Sequence, residues 1–147
     1  MILYINASPK LDKSNSEYFI RKIDNKASIK YLYKDRFEKL ELEKYDTILF
    51  SFPLYVDAPP NKVLQLFEYI DENFIDLTNK NIYAISNCGF LEAEQNDTAI
   101  EIMRNFAKKN KAKFMGSFKI GAGEIVGRCD SVKLYKFVNF SFLKKIK

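Results

Sequence analysis

The chain has 147 residues, 47% of them hydrophobic and 15% aromatic, which is apolar material enough for one domain with a real core and excludes a disordered chain. It has no histidine and two cysteines, Cys88 and Cys129, which excludes Ser-His-Asp and Cys-His catalysis and makes a metal site an unexpected feature. The net charge of +5 is uneven: residues 1–36 sum to +4, residues 37–102 to −9 and residues 103–147 to +10. Nearly all the basic residues are lysines, with only Arg21, Arg36, Arg104 and Arg128 as arginines. Base-edge readout favours arginine, so no nucleic-acid partner is expected, and the basic third reads mainly as solvated helix faces. No apolar run approaches the ~20 residues of a membrane span, and the chain opens on a strand where a secreted protein carries a basic, then apolar, leader. The expectation is a cytoplasmic protein with no membrane partner.

Taken in order, residues 2–5 form a buried strand. Residues 7–17, ASPKLDKSNSE, form a hydroxyl- and amide-rich turn, and residues 15–26 a helix with Phe19, Ile20 and Ile23 inward. A second, shorter strand spans 28–33, and 37–45 is an irregular or one-turn connector. Residues 46–52, DTILFSF, are a run of mainly apolar and β-branched residues, the pattern of a central strand in a parallel sheet. After Pro59 and Pro60 comes a helix with Val63, Leu66, Phe67 and Ile70 at i, i+3, i+4, i+7 spacing. Residues 81–86 form the fourth strand, followed by a turn with Asn87, Cys88 and Gly89. Thr98 and Glu101 read as a capping box on a helix to about residue 111. Residues 112–120 are the fifth strand and 132–146 the last helix. Neither a repeat nor a linker interrupts residues 1–147, which read as a single domain.

Five strands alternating with helices at this length predict an α/β fold, a three-layer, doubly wound, five-stranded parallel sheet of order 2-1-3-4-5. Its ligand crevice lies at the carboxyl ends of strands 1 and 3, where the loops 7–16, 53–59 and 87–95 converge. The first of these gathers backbone N–H groups, serine hydroxyls and a helix N-terminus, a setting suited to phosphate. Neither regular phosphate-loop signature is present. Ser14 with Glu17 is equally a capping box that satisfies its own helix end without a ligand.

ASPK…SNS after strand 1, FPLYVDAPP after strand 3 and SNCGF after strand 4 together resemble the NAD(P)H-dependent FMN reductases of the flavodoxin-like fold, over roughly residues 2–123. The resemblance implies an FMN phosphate held by Ser8, Ser14, Asn15 and Ser16 with Lys10 nearby. It places Pro53, Leu54, Tyr55 and Val56 against the isoalloxazine and ribityl chain, and Asn87, Cys88, Gly89 and Phe90 along the flavin edge. Two positions depart from the family pattern: Ala7 stands where glycine is usual and Lys10 where arginine is usual. Lysine keeps the charge but loses the bidentate fork.

Other residues keep two readings. Tyr55 stacks on a planar ligand or is an exposed loop aromatic; Cys88 is a small buried hydrophobe or a redox thiol. Gly121, Gly123 and Gly127 are turn formers that let backbone approach the flavin or simply turn the chain. Tyr135, Phe137, Phe140 and Phe142 belong to a core-facing helix or a dimer surface. The expected protein is thus a flavoprotein oxidoreductase that takes hydride from NAD(P)H onto FMN and passes electrons to a small acceptor: a quinone, nitro compound, metal ion or free flavin. No catalytic side chain and no metal are expected, and a homodimer is. The alternative is a flavodoxin-like electron carrier without NAD(P)H turnover of its own.

Overall fold

The run 46–52 sets the architecture, because a strand apolar on both faces needs cover from both sides. In a computed structural model, which describes residues 1–123 and 125, it forms β3 (Thr47–Pro53) at the centre of a five-stranded sheet. The other strands are β1 (Ile2–Asn6), β2 (Ile29–Tyr31), β4 (Asn81–Asn87) and β5 (Lys113–Ile120). Every pairing is parallel and the order is β2-β1-β3-β4-β5, as predicted. The helices are α1 (Asn15–Ile23), α2 (Asn61–Glu72) and α3 (Asp97–Lys109).

Strand alternation sorts the core into two layers. Leu3, Ile5, Ile48, Phe50, Phe52, Ile82 and Ala84 face α2 and α3, which contribute Val63, Leu66, Phe67, Ile70, Ile100, Met103 and Phe106. Tyr4, Leu49, Tyr83 and Ile85 point the other way, onto Phe19 and Ile20 of α1. Phe67 and Phe106 stack with ring centroids 3.6 Å apart, locking α2 to α3.

The differences from expectation lie at element ends. The first helix stops at Ile23 because Asp24 turns extended and returns its N–H to the Ile20 carbonyl. The second strand keeps three residues, and 37–45 folds as two 3₁₀ turns, Phe37–Leu40 and Leu42–Lys44. The Thr98 capping box does not form. A 3₁₀ turn, Ala93–Asn96, runs straight into α3, so Thr98 already lies inside the helix and Glu101 pairs with Arg104 at 3.1 Å. The expected last helix at 132–146, with Tyr135, Phe137, Phe140 and Phe142, lies outside the described residues, as do Gly127 and Cys129. Among the described residues no helix is long and apolar enough to cross a membrane.

Phe50 is 1% exposed in the central strand and meets Phe67 edge-on at 6.2 Å. Phe50→Ala is expected to cost about 3–5 kcal/mol in chemical denaturation, the range for a buried phenylalanine deleted from a packed core. A loss under about 1 kcal/mol would show that the two helices do not close on β3 as described.

Candidate functional site

At their carboxyl ends the central strands change from apolar to polar while staying buried. Asn6, Ser51, Ser86 and Asn87 are all 5% exposed or less. A buried polar group must find a partner or lose the desolvation energy of about 1–3 kcal/mol. These residues find theirs in the loops above. The Asn6 side chain accepts the Ser8 N–H at 3.0 Å and donates to the Ser14 hydroxyl at 3.0 Å, bending the chain into a compact turn. Ser51 donates to the Ser16 carbonyl at 2.9 Å, seating α1 on β3. Asn87 donates to the Phe52 carbonyl at 3.0 Å and to the Ser16 hydroxyl at 3.3 Å.

Above this layer opens a crevice lined by Ser8, Lys10, Lys13, Ser14, Asn15, Ser16, Pro53, Leu54, Tyr55, Asn87, Cys88 and Gly89. The three predicted loops therefore meet in one place. Ser14 is the N-cap of α1 and its oxygen accepts the Glu17 N–H at 3.1 Å. With Asn6 as a second donor, both lone pairs of that oxygen are used, which leaves the hydroxyl proton. Among the described residues that proton has no acceptor, and neither does the hydroxyl proton of Ser16, although both residues are at most 2% exposed. Two buried O–H donors without acceptors, at a helix N-terminus that favours negative charge, make a setting complementary to an anion.

The charges agree with this. Lys10 and Lys13 have no ion-pair partner among the described residues. Glu17, which would otherwise add a carboxylate to the first turn of α1, is held by Arg21 at 3.6 Å. The pKa of the Tyr31 phenol is raised first by burial and then by the Glu17 carboxylate. The capping box is thus half formed: Ser14 caps the helix, while Glu17 turns to Arg21.

Most of the predicted site residues line the crevice, with three distinctions. Asn15 lines it but spends one amide hydrogen on the Gly123 carbonyl at 2.7 Å. Val56 and Phe90 are not among the lining residues and stand on the rim, 98% and 62% exposed. Val56 and Asp57 form a tight two-residue turn at φ 47° and 60°, closed by mutual N–H···O bonds of 3.0 Å between Tyr55 and Ala58. A β-branched residue at such a φ is strained by about 1–3 kcal/mol. The turn brings Tyr55 to the crevice wall.

Sequence reasoning missed Lys13 and Asn6. Lys13 lies in an ordinary-looking lysine-rich stretch; Asn6 ends a strand, where only the fold reveals its burial.

The glycines divide into two kinds. A Cβ on Gly121 would lie 2.1 Å from the Leu91 carbonyl oxygen, and one on Gly123 would lie 3.0 Å from the Asn87 side-chain oxygen. Their bareness lets the exit of β5 pack on the loop after β4. Gly89 lines the crevice, yet a Cβ there would meet nothing within 4 Å and its φ is not positive. The folded chain leaves that space open toward the crevice, room for a ligand to approach backbone closely.

No protein-family model matches the sequence. A stretch of 125 residues, 83% of the chain, is 30% identical to the chaperone protein HtpG of Buchnera aphidicola. The chain spans only 19% of that relative's length, so the match assigns no family. Solved structures are more informative. General stress protein 14 of Treponema denticola, in complex with FMN, superposes with a TM-score of 0.68 over 99% of both chains at 17% identity. An NADPH-quinone reductase of P. pentosaceus gives 0.65 over 83% of this chain and 85% of its own at 19% identity. Oxidised flavodoxin 1 of Bacillus cereus gives 0.60 over 87% and 93% at 17%. The protein thus has the flavodoxin-like fold, as the sequence motifs implied.

Gly121→Ala is expected to lower stability by about 1–3 kcal/mol, because backbone must move to admit the methyl. Gly89→Ala is expected to stay within about 0.5 kcal/mol of the unmodified protein. Guanidinium unfolding of the two variants side by side checks this, and equal losses would contradict the division.

Proposed function

We propose that this crevice binds FMN and that the protein is an oxidoreductase accepting hydride from NAD(P)H and passing electrons to a small acceptor, such as a quinone, nitro compound, metal ion or free flavin. The observation that carries the reading is the pair of buried hydroxyls, on Ser14 and Ser16, that line the crevice and whose protons have no acceptor among the described residues. A terminal phosphate supplies acceptors for both, and Lys10 and Lys13 supply charge to balance it.

The bland reading of the first loop, a self-satisfied capping box, explains the Ser14 oxygen but not these two protons. The rest of the lining suits the rest of the molecule. Pro53, Leu54 and Tyr55 offer an apolar and aromatic wall for a planar ring system, and Gly89 offers close backbone approach. The FMN in the Treponema structure and the NADPH-quinone reductase activity named for the P. pentosaceus protein, both on this fold, point the same way.

When bound, FMN supplies the hydride and electron chemistry; the chain binds it, orients it and controls access. Ser14 and Ser16 are the proposed phosphate donors. Asn15 is proposed to act partly by fixing the Gly123 carbonyl, which joins the first loop to the exit of β5. Tyr55 keeps half its surface exposed, so a planar donor or acceptor can reach the wall from solvent. No titratable side chain is needed as acid or base. This suits a crevice whose lining includes lysines and hydroxyls but no carboxylate.

Charge-assisted hydrogen bonds contribute about 1.5–3 kcal/mol each, so FMN is expected to bind more than tenfold tighter than riboflavin in a fluorescence titration. Ser16→Ala is expected to narrow that gap. Equal affinities for the two flavins would remove the phosphate assignment. FMN binding with slow NAD(P)H oxidation and fast exchange with a separate reductase would identify a carrier in place of an enzyme.

A further inference from the structure

We infer that Asn96, which does not line the crevice, is a positioning residue for its ring side: it fastens the turn at Cys88 and Gly89 to the exit of β5. The inference rests on the FMN reading for its consequence and on geometry alone for the fastening itself. Asn96 directly precedes α3, where an asparagine side chain ordinarily accepts an N–H from the first turn. Here it makes no such bond. Its side chain turns inward instead and is 0% exposed.

Both ends of its amide find partners there. The side-chain oxygen accepts from the Ser86 hydroxyl at 2.6 Å. The amide nitrogen lies 3.0 Å from the Ala93 carbonyl, 3.3 Å from the Cys88 sulfur and 3.5 Å from the Ile120 carbonyl. Three elements meet at this one amide: the start of α3, the turn after β4 and the end of β5.

What Asn96 holds is continuous with the crevice. The Cys88 thiol lies within 3.7 Å of the Phe90, Glu92 and Ile120 carbonyls, so the turn is wrapped around its sulfur. Backbone bonds complete the closure. Cys88 N–H reaches the Ile120 carbonyl at 2.9 Å, Gly123 N–H the Cys88 carbonyl at 2.7 Å, and Ala122 N–H the Phe90 carbonyl at 2.5 Å. Asn15 then takes the Gly123 carbonyl, so the chain of contacts from Asn96 ends in the phosphate loop. Cys88 and Gly89 line the crevice. Asn96 acts on a ligand through them and not by contact.

The test begins with hydrogen exchange on the unmutated, flavin-free protein. The amides of Cys88, Ala122 and Gly123 are expected to exchange within tenfold of the slow amides of β4; exchange at the rate of an open loop overturns the fastening. In a Cys129→Ser background Cys88 is the sole thiol. There, Asn96→Ala is expected to raise its reaction with a small disulfide reagent at least tenfold. Ser86→Ala, which keeps every contact of the Asn96 amide nitrogen, is expected to raise it less than threefold. Equal acceleration by both overturns the role given to that nitrogen.

The last arm titrates FMN and riboflavin. Asn96→Ala is expected to weaken both by the same factor, about tenfold, and to shift the visible spectrum of the bound flavin, leaving their ratio unchanged. Loss of FMN affinity alone would place Asn96 at the phosphate end and overturn the inference. No flavin binding by the unmutated protein would overturn the FMN reading and the ring-side role with it, while exchange and thiol reactivity still decide the fastening.

Discussion

The site depends on a layer of buried polar side chains at the carboxyl ends of the central strands. Asn6, Ser51, Ser86 and Asn87 sit where the apolar core gives way to the crevice: Asn6 reaches Ser14, Ser51 and Asn87 both reach Ser16, and Ser86 reaches Asn96. Burying such groups is tolerable only when their hydrogen bonds are made. The loops are therefore not free to wander: the first is drawn down by Asn6, α1 is seated by Ser51, and the turn after β4 is gathered around Asn96. The apolar run of β3 fixes the sheet, and this polar layer fixes what stands on it.

The electrostatics of the crevice follow from the same placement. Seating α1 on β3 puts its N-terminus at the mouth, so its partial positive charge and the lysines at 10 and 13 act on the same volume. Glu17 is the one nearby carboxylate on that helix turn, and Arg21 draws it sideways. Rigidity below contrasts with exposure above. Val56 and Phe90, next in sequence to lining residues, are 98% and 62% exposed, so apolar side chains stand beside a floor of buried polar groups.

The fold was legible because its signals are repeated: strand, loop and helix recur along residues 2–120, and the strongest, DTILFSF, could only be central. The loops carrying the site were legible for the same reason, since parallel strands put their carboxyl ends on one side. Element ends were less so. Thr98 and Glu101 have the spacing of a capping box, but a 3₁₀ turn that starts five residues before Thr98 swallows the cap position, and local spacing does not report this. Asn96 carries no signal in the sequence; only tertiary contacts show its side chain turned inward. Gly121 and Gly123 read as turn formers, with backbone approach to a ligand left open; their bareness serves packing on residues 87–91, a contact between segments some thirty residues apart that local sequence does not report.

The central claim, that the polar layer and α1 together build a phosphate-competent flavin site, is tested most directly by titrating the flavin-free protein with FMN and counting what binds. The account predicts a saturable, yellow complex with one FMN per chain, its affinity reduced when Ser14 and Lys10 are replaced together in a variant that still folds. FMN that fails to saturate at one per chain, or binds the doubly replaced protein equally well, would contradict it.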